Sequence, residues 1–316
     1  MAGSRYAYVR AFELPDPLLP STLFVVRIDG KGFHGFSKLH SFQKPNDKNA
    51  LLLMNEAAKR VVGGRELNGE CALAFGESDE YSFVFRRSCK LHGRRSSKIV
   101  TLVVSVFTAA YVSLWPQYFP NSPLSLEHLP VFDGRAVQYT SEEEVRDYLR
   151  WRQVDTHINN LYNTTFWALV SQGGRSPTAA EQELKGTVSS QKQELLFSHF
   201  GINYNAVDPM YKKGSIILWQ EQPPSPQQVD AQNEGEAAAP SAGSETADAQ
   251  PSAEAAPNTS PSSAEPAPRP AGAPPGIKLR QRKTPPKPKR HLVVLHEDLI
   301  SEAWWEEGPG KGLLSD

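Results

Sequence analysis

Asp29 and Asp79 are the side chains whose types and settings most invite chemistry. Asp29 follows the apolar run Leu23-Phe24-Val25-Val26 within "RIDGKGFHGF", residues 27–36, and Asp79 lies in "GESDEYSFVF", residues 76–85. Two carboxylates at adjacent strand ends, with a backbone carbonyl, suit Mg²⁺, which takes hard oxygen ligands and shares its shell with phosphates. Paired ions of that kind activate an attacking oxygen and stabilise a leaving group in phosphoryl chemistry. Gly30 and Gly32 let a backbone approach a ligand and turn N–H groups toward triphosphate oxygens. The pattern is neither the dinucleotide fingerprint nor the Walker loop. Singly, "DG" is a turn and "SDE" a solvated hairpin tip. Together, at one end of a sheet, they make a metal and phosphate site.

The elements needed to bring these acids together are legible. A strand at 22–28 precedes the glycine-rich loop. "KPNDKNALLLMNEAAKRVV" predicts a helix with Asn46 as its N-cap, because Ala50, Leu53, Met54, Ala57, Ala58 and Val61 follow helical spacing. "CALAFGESDEYSFVFR" predicts a β-hairpin turning at 76–79. "SSKIVTLVVSVFTAAYVSLW" predicts a buried helix, and "PVFDGRAVQY" a strand with a turn at Asp133-Gly134. The order is β-α-β-β-α-β, an α+β class with the split βαβ pattern of ferredoxin-like folds, here expected over residues 1–140.

A helical part is expected over 141–221. It opens on a capping box, Ser141 with Glu144, and a long helix running to about Val170. At 100° per residue Val154, Ile158, Leu161, Tyr162, Thr165 and Leu169 share one face, with Arg152, Thr156, Asn159, Asn160 and Asn163 opposite. Shorter helices are expected at 178–184 and 188–199. From 223 to 276 there is no Phe, Tyr, Trp, Leu or Ile, so the linker 222–290 is expected to be a disordered insert. It ends in a basic run at 278–290, which reads as a nuclear-address signal or an RNA-binding arm. The tail 291–316 predicts a strand at 292–295 and a helical turn ending at Trp304-Trp305, packed back on the main domain because paired Trp side chains are costly to expose.

The chain has 316 residues, with 34 Lys+Arg against 35 Asp+Glu. Residues 1–221 hold 25 basic and 22 acidic side chains, a net of about +3 that weakly favours a polyanionic partner. Arg27, Arg94, Arg95, Lys98, Arg150 and Arg152 are the phosphate-contact candidates. Two cysteines, Cys71 and Cys89, make neither a disulfide framework nor a metal-ligand spacing, so a reducing compartment is expected. No stretch was expected to approach the roughly 20 apolar residues of a membrane span, and no leader is recognised, so the expectation is a cytoplasmic protein without a membrane partner, with a nuclear address as the added option.

"RIDGKGFHGFS", "FQKPND", "GESDEYSFVF", "FDGRAVQY", "WRQVDTHINNLYNTTFWALV", "LKGT" and "FGINYN" together resemble the tRNA(His) guanylyltransferase family over residues 1 to about 220. The insert at 223–276 has no place in that family's core pattern. The resemblance implies a palm-type catalytic sheet that adds nucleotides in the 3′-to-5′ direction. It implies that Asp29, the Gly30 carbonyl and Asp79 hold two Mg²⁺ ions, with Glu80 supporting the catalytic acids. It implies that Asp29, Gly30, Lys31, Gly32, Phe33, His34, Ser78 and Asp79 bind GTP. Lys44 and Asn46 would contact a second nucleotide, and His157, Lys192 and Asn203 would read tRNA. ATP would activate the tRNA 5′-monophosphate, and the protein would be a homotetramer. Two alternatives stand beside this: a general 3′-to-5′ polymerase repairing tRNA 5′ ends, and a non-catalytic tRNA-binding module.

Overall fold

The computed structural model describes residues 4–221 and 290–316. The expected disordered stretch and most of the basic run lie outside the described residues. Six strands form one sheet in the order β4-β1-β3-β2-β5-β6, built from β1 (Leu23–Gly30), β2 (Cys71–Glu77), β3 (Glu80–Phe85), β4 (Phe132–Tyr139), β5 (Ser215–Glu221) and β6 (Arg290–Leu295). The pairings among β1 to β5 are antiparallel. The fold is therefore a mixed one of helices on an antiparallel sheet. Strand β5 was not anticipated: the last seven residues of the expected helical part return to the sheet beside β2.

Alternation along the strands divides two cores. Phe24, Val26 and Ile28 of β1, with Tyr81, Phe83 and Phe85 of β3, face helices α2 (Lys48–Val62) and α3 (Ser96–Tyr118). Leu23 and Val25, with Val84 and Leu73, face the start of α4 (Glu142–Ser171) and the C-terminal tail. Helix α3 buries Ile99, Val103, Phe107, Tyr111 and Trp115, a spacing of four that lays one side chain above the next. At 23 residues it is long and apolar enough to span a bilayer, contrary to expectation, although this stripe of it lies in the core. Cys71 and Cys89 are buried free thiols, pushed up to about 12 and about 11 by desolvation.

The tail docks as expected. Leu299, Trp304, Trp305 and Leu314 fill the second core, with α8 (Glu302–Glu306) carrying the Trp pair. The Gln153 side chain of α4 receives the Leu299 N–H at 2.7 Å, and the Arg86 guanidinium donates to the Leu313 carbonyl at 2.9 Å.

Three local expectations are corrected. Asp133-Gly134 is no turn: both residues lie inside β4, opposite Asp29 and Ile28. Asp47, not Asn46, caps α2, its carboxylate accepting from the Ala50 N–H at 3.0 Å. On α4 the middle of the helix turns its polar side inward: Arg152, Thr156 and Asn160 are buried, while Val154 and Ile158 are 40% and 50% exposed. The physical reason is that this stretch covers a polar cleft rather than an apolar core.

Candidate active site

Strand register builds the site. Asp29 of β1 pairs across to Asp133 of β4 and to Glu80 of β3, and Glu80 pairs in turn with Glu77 of β2. Four carboxylate residues therefore form one row across four strands. Like charges facing each other across strands destabilise a sheet, and the structure offsets them with arginines. Arg27 bridges Asp29, at 3.2 Å, and Glu80. Arg135 holds Asp133 at 2.9 Å. Arg152, reaching down from α4, meets Glu77 at 2.6 Å, Glu80 at 2.8 Å and Asp155 at 2.9 Å. Burial still pushes the Glu80 carboxyl up to about 7, against the pull of Arg152 and Arg27. Glu77 is raised for the same reason.

Asp79 occupies the hairpin turn between β2 and β3, just beyond this row. Ser78 beside it takes a left-handed conformation, φ 46°. The Gly30 N–H donates to the Asp79 carbonyl at 3.0 Å, which clamps the end of β1 against the turn. Asp79 is raised by burial first, and further by Asp29; its own backbone N–H and the Ser78 hydroxyl oppose the shift only in part. Asp29 thus disfavours ionisation of Asp79, and the two carboxylates make a hard, like-charged oxygen pair. That donor chemistry fits a divalent cation that completes its shell with water and phosphate. Among the described residues no group of three or more His, Cys, Asp or Glu encloses a metal.

Each of the two glycines has a local structural reason. A Cβ on Gly30 would meet the Phe33 ring at 2.4 Å, so only glycine lets Phe33 fold back beneath the strand end. Phe33 then packs on Tyr111 and Phe132. Gly32 has φ 72° and opens α1 (Phe33–Leu39). The N–H groups of Gly30 and Lys31 are occupied by the Asp79 and Val131 carbonyls, so neither is turned toward a ligand. Lys31 is exposed.

A cleft of about 710 Å³ opens from these acids. Asp29, Phe33, His34, Ser78, Asp79 and Glu80 line one end; Gly30, Lys31 and Gly32 do not line it. Lys44 and Asn46 line it as well. The Lys44 ammonium lies 3.4 Å from the Ser37 hydroxyl, and the Asn46 side-chain carbonyl accepts from the Asn160 amide at 2.8 Å, tying this loop to α4.

The three residues expected to read tRNA lie on the helical part. The His157 ring meets Tyr204 edge-on at 5.5 Å, next to Asn203, and burial with nearby Lys212 holds His157 below its ordinary value. Asn203 caps a short turn by accepting from the Asn205 N–H at 3.0 Å. The Lys192 ammonium donates to the Thr187 carbonyl at 2.7 Å, and no contact joins it to His157 or Asn203 among the described residues. Most of the expected phosphate-contacting arginines are engaged internally. Arg94 is buried against the Thr22 and Cys89 carbonyls, Arg95 pairs with Glu13 and Asp16, and Arg150 with Glu143, Asp147 and Glu302. Arg27 and Arg152 serve the acidic row. Lys98 alone of that set is exposed with an ammonium that makes no hydrogen bond or ion pair among the described residues.

Sequence inspection missed Glu77, Asp133 and the inward polar side of α4. The first was findable: in a two-residue hairpin the residues flanking Ser78-Asp79 must face each other, which places Glu77 opposite Glu80. Asp133 was masked by reading "FDG" as a turn.

Known proteins resemble this chain in sequence and fold. A family model described as tRNAHis guanylyltransferase matches residues 6–140, and one described as the Thg1 C terminal domain matches residues 143–301. The tRNA(His) guanylyltransferase of Eremothecium gossypii is 58% identical over 217 residues, covering 69% of this chain and 91% of that protein. The Saccharomyces cerevisiae protein of the same name is 54% identical over 217 residues, again covering 69% and 91%. The crystal structure of tRNA(His) guanylyltransferase from Saccharomyces cerevisiae matches with a TM-score of 0.65 at 54% identity, covering 67% of this chain and 92% of that one. A bacterial tRNA(His) guanylyltransferase-like protein in complex with ATP matches with a TM-score of 0.54 at 26% identity, covering 67% and 85%.

Proposed function

This chain belongs to the tRNA(His) guanylyltransferase family, and on that premise we propose how its cleft adds guanosine to the 5′ end of tRNA(His). The tRNA 5′-monophosphate attacks the α-phosphorus of ATP and releases pyrophosphate, leaving an adenylylated 5′ end. The 3′-hydroxyl of GTP then attacks the tRNA 5′-phosphorus and expels AMP. Hydrolysis finally removes pyrophosphate from the added nucleotide. Displacement at phosphorus asks mainly for alignment and neutralised charge.

The observation that carries this account is that Asp29 and Asp79 both line the cleft, with the Gly30 N–H bonded to the Asp79 carbonyl at 3.0 Å. These two carboxylates, with the Gly30 carbonyl, are the groups that would hold Mg²⁺. Bound there, the metal supplies charge neutralisation and activates the attacking oxygen. Arg27 and Arg152 keep Glu80 from adding free negative charge beside the incoming phosphates. Ser78 and His34 line the GTP end, where the Phe33 and His34 N–H groups that open α1 have no acceptor among the described residues, the Gly35 N–H being taken by the Gly32 carbonyl. Lys44 offers a cation, and Asn46 an amide, to the second nucleotide. The sheet is proposed as a ferredoxin-like palm, supported by the strand order β4-β1-β3-β2 and by the exposure of Asp133, Arg135 and Val137 on the side that carries the acids. His157 and Asn203 are proposed to read tRNA from the helical part, supported by their grouping around Tyr204.

The test is incorporation of labelled GTP into a panel of 5′-monophosphorylated tRNAs with ATP and Mg²⁺ present. One added nucleotide confined to tRNA(His) is the expected result. Addition to every tRNA in the panel would make the protein a general 5′-end repair polymerase instead, and no incorporation would leave only an RNA-binding role.

A further inference from the structure

Helix α4 carries Asn159, Asn163 and Trp167 at a spacing of four, and all three line the cleft. That spacing stacks the side chains one turn above another on a single face. Their neighbours are committed: Asn160 is bonded to Asn46 and Tyr204, and Thr156 to the Arg152 carbonyl. The amides of Asn159 and Asn163 and the indole N–H of Trp167 make no hydrogen bond among the described residues. Trp167 is half-buried, yet it joins none of the apolar clusters among the described residues. At 1.5 Å per residue it stands roughly 22 Å along the helix from Arg152, the side chain that holds Glu77 and Glu80. These three side chains carry no charge; Asp155 one turn before them, paired with Arg152, and Glu181 of the helix Pro177–Leu184 also line the cleft.

An uncharged amide row ending in an indole suits a nucleobase and not a phosphate. Aromatic side chains stack on unstacked bases, and an Asn amide can bond an adenine bidentately through N6 and N7. We propose that Asn163 and Trp167 form the base subsite of the activating nucleotide, with Trp167 stacked on adenine and the Asn163 amide on its N6/N7 edge. The bond from Asn160 to Asn46 fixes the Lys44–Asn46 loop against α4 one turn before Asn163. A triphosphate held at Lys44 and Asn46 therefore has its base directed along this row. The inference rests on the placement of the second nucleotide at Lys44 and Asn46.

The experiment compares Trp167→Ala, Trp167→Phe and Asn163→Ala with the wild-type full chain. KM for ATP is measured on 5′-monophosphorylated tRNA(His), and KM for GTP on tRNA(His) bearing a 5′-triphosphate, which already has a leaving group and needs no ATP. Trp167→Ala is expected to raise KM for ATP roughly tenfold or more, as loss of base–aromatic stacking does, and Trp167→Phe to restore most of it. Asn163→Ala should erase the preference for ATP over purine riboside triphosphate, which lacks N6. KM for GTP stays at the wild-type value in each variant. An unchanged KM for ATP in both alanine variants overturns the subsite, and so does a rise confined to KM for tRNA, which would assign the row to an RNA base. Loss of GTP addition on the 5′-triphosphate substrate in the wild type would instead reject the catalytic account on which the subsite rests.

Discussion

Asp79→Asn will abolish nucleotide addition, lowering the rate by about 10³-fold or more, while tRNA(His) binding stays within twofold of wild type. The magnitude follows from removing several kcal/mol of charge stabilisation at the reacting phosphates, at about 1.4 kcal/mol per tenfold. The variant should also fold at least as well as the wild type. Asp79 has a folded-state pKa raised by burial and by Asp29. A carboxyl raised in this way favours the folded state below its unfolded value, and that contribution is lost as pH rises through the folded value. Above its unfolded value the wild-type carboxyl therefore disfavours folding, and the neutral amide removes that cost. Mg²⁺ should reverse the ranking. Added to the wild type with GTP it should raise Tm by mass action on the folded state, and added to the variant it should not. Full activity of Asp79→Asn with Mg²⁺ would defeat the metal assignment.

Arg152→Ala will lower stability by about 3–5 kcal/mol, the usual consequence of removing one member of a buried ionic group. For a folded part of this size that is a fall of roughly 10 °C in Tm. The cause is specific: Arg152 is 7% exposed and holds Glu77 and Glu80, each 8% exposed, so its loss strands the Glu77 carboxylate and leaves Glu80 to Arg27 alone. Pairing Arg152→Ala with Glu77→Gln should recover part of the loss, because the stranded charge is then gone, and the difference from additivity measures the coupling. An Arg152→Ala protein as stable as wild type by urea unfolding would show that the row is neutralised by other means. The single variant should also lose activity, since α4 carries the cleft's far wall and is tethered to the sheet end through this side chain.

Much of the architecture could be read from the chain because its apolar cores obey simple periods. The stripe from Ile99 to Trp115 and the alternation of Phe24, Val26 and Ile28 follow from burying one face of a helix and one side of a strand. The Trp304-Trp305 pair predicted its own docking for the same reason. Periodicity misled where the structure covers polar chemistry. Helix α4 hides Arg152, Thr156 and Asn160 and exposes Val154 and Ile158, because what lies beneath its middle is an acidic row and not a hydrophobic surface. Asp29 and Asp79 were legible from their strand-end settings, but Glu77 and Asp133 became visible only once the register was known. The positive φ of Gly32 was legible, and the packing reason for Gly30 was not. Gly30 is required by the Phe33 ring beneath it, a contact between residues three apart that no motif rule encodes.

The central claim is that the carboxylates of Asp29 and Asp79 share divalent metal beside a nucleotide triphosphate. The most direct measurement is a crystal of the full chain grown with GTP and Mn²⁺, read by anomalous scattering. The account predicts a manganese peak bonded to both carboxylates and to phosphate oxygens of the bound GTP. GTP bound in the cleft with no peak between Asp29 and Asp79, or with the metal held by other residues, would contradict it.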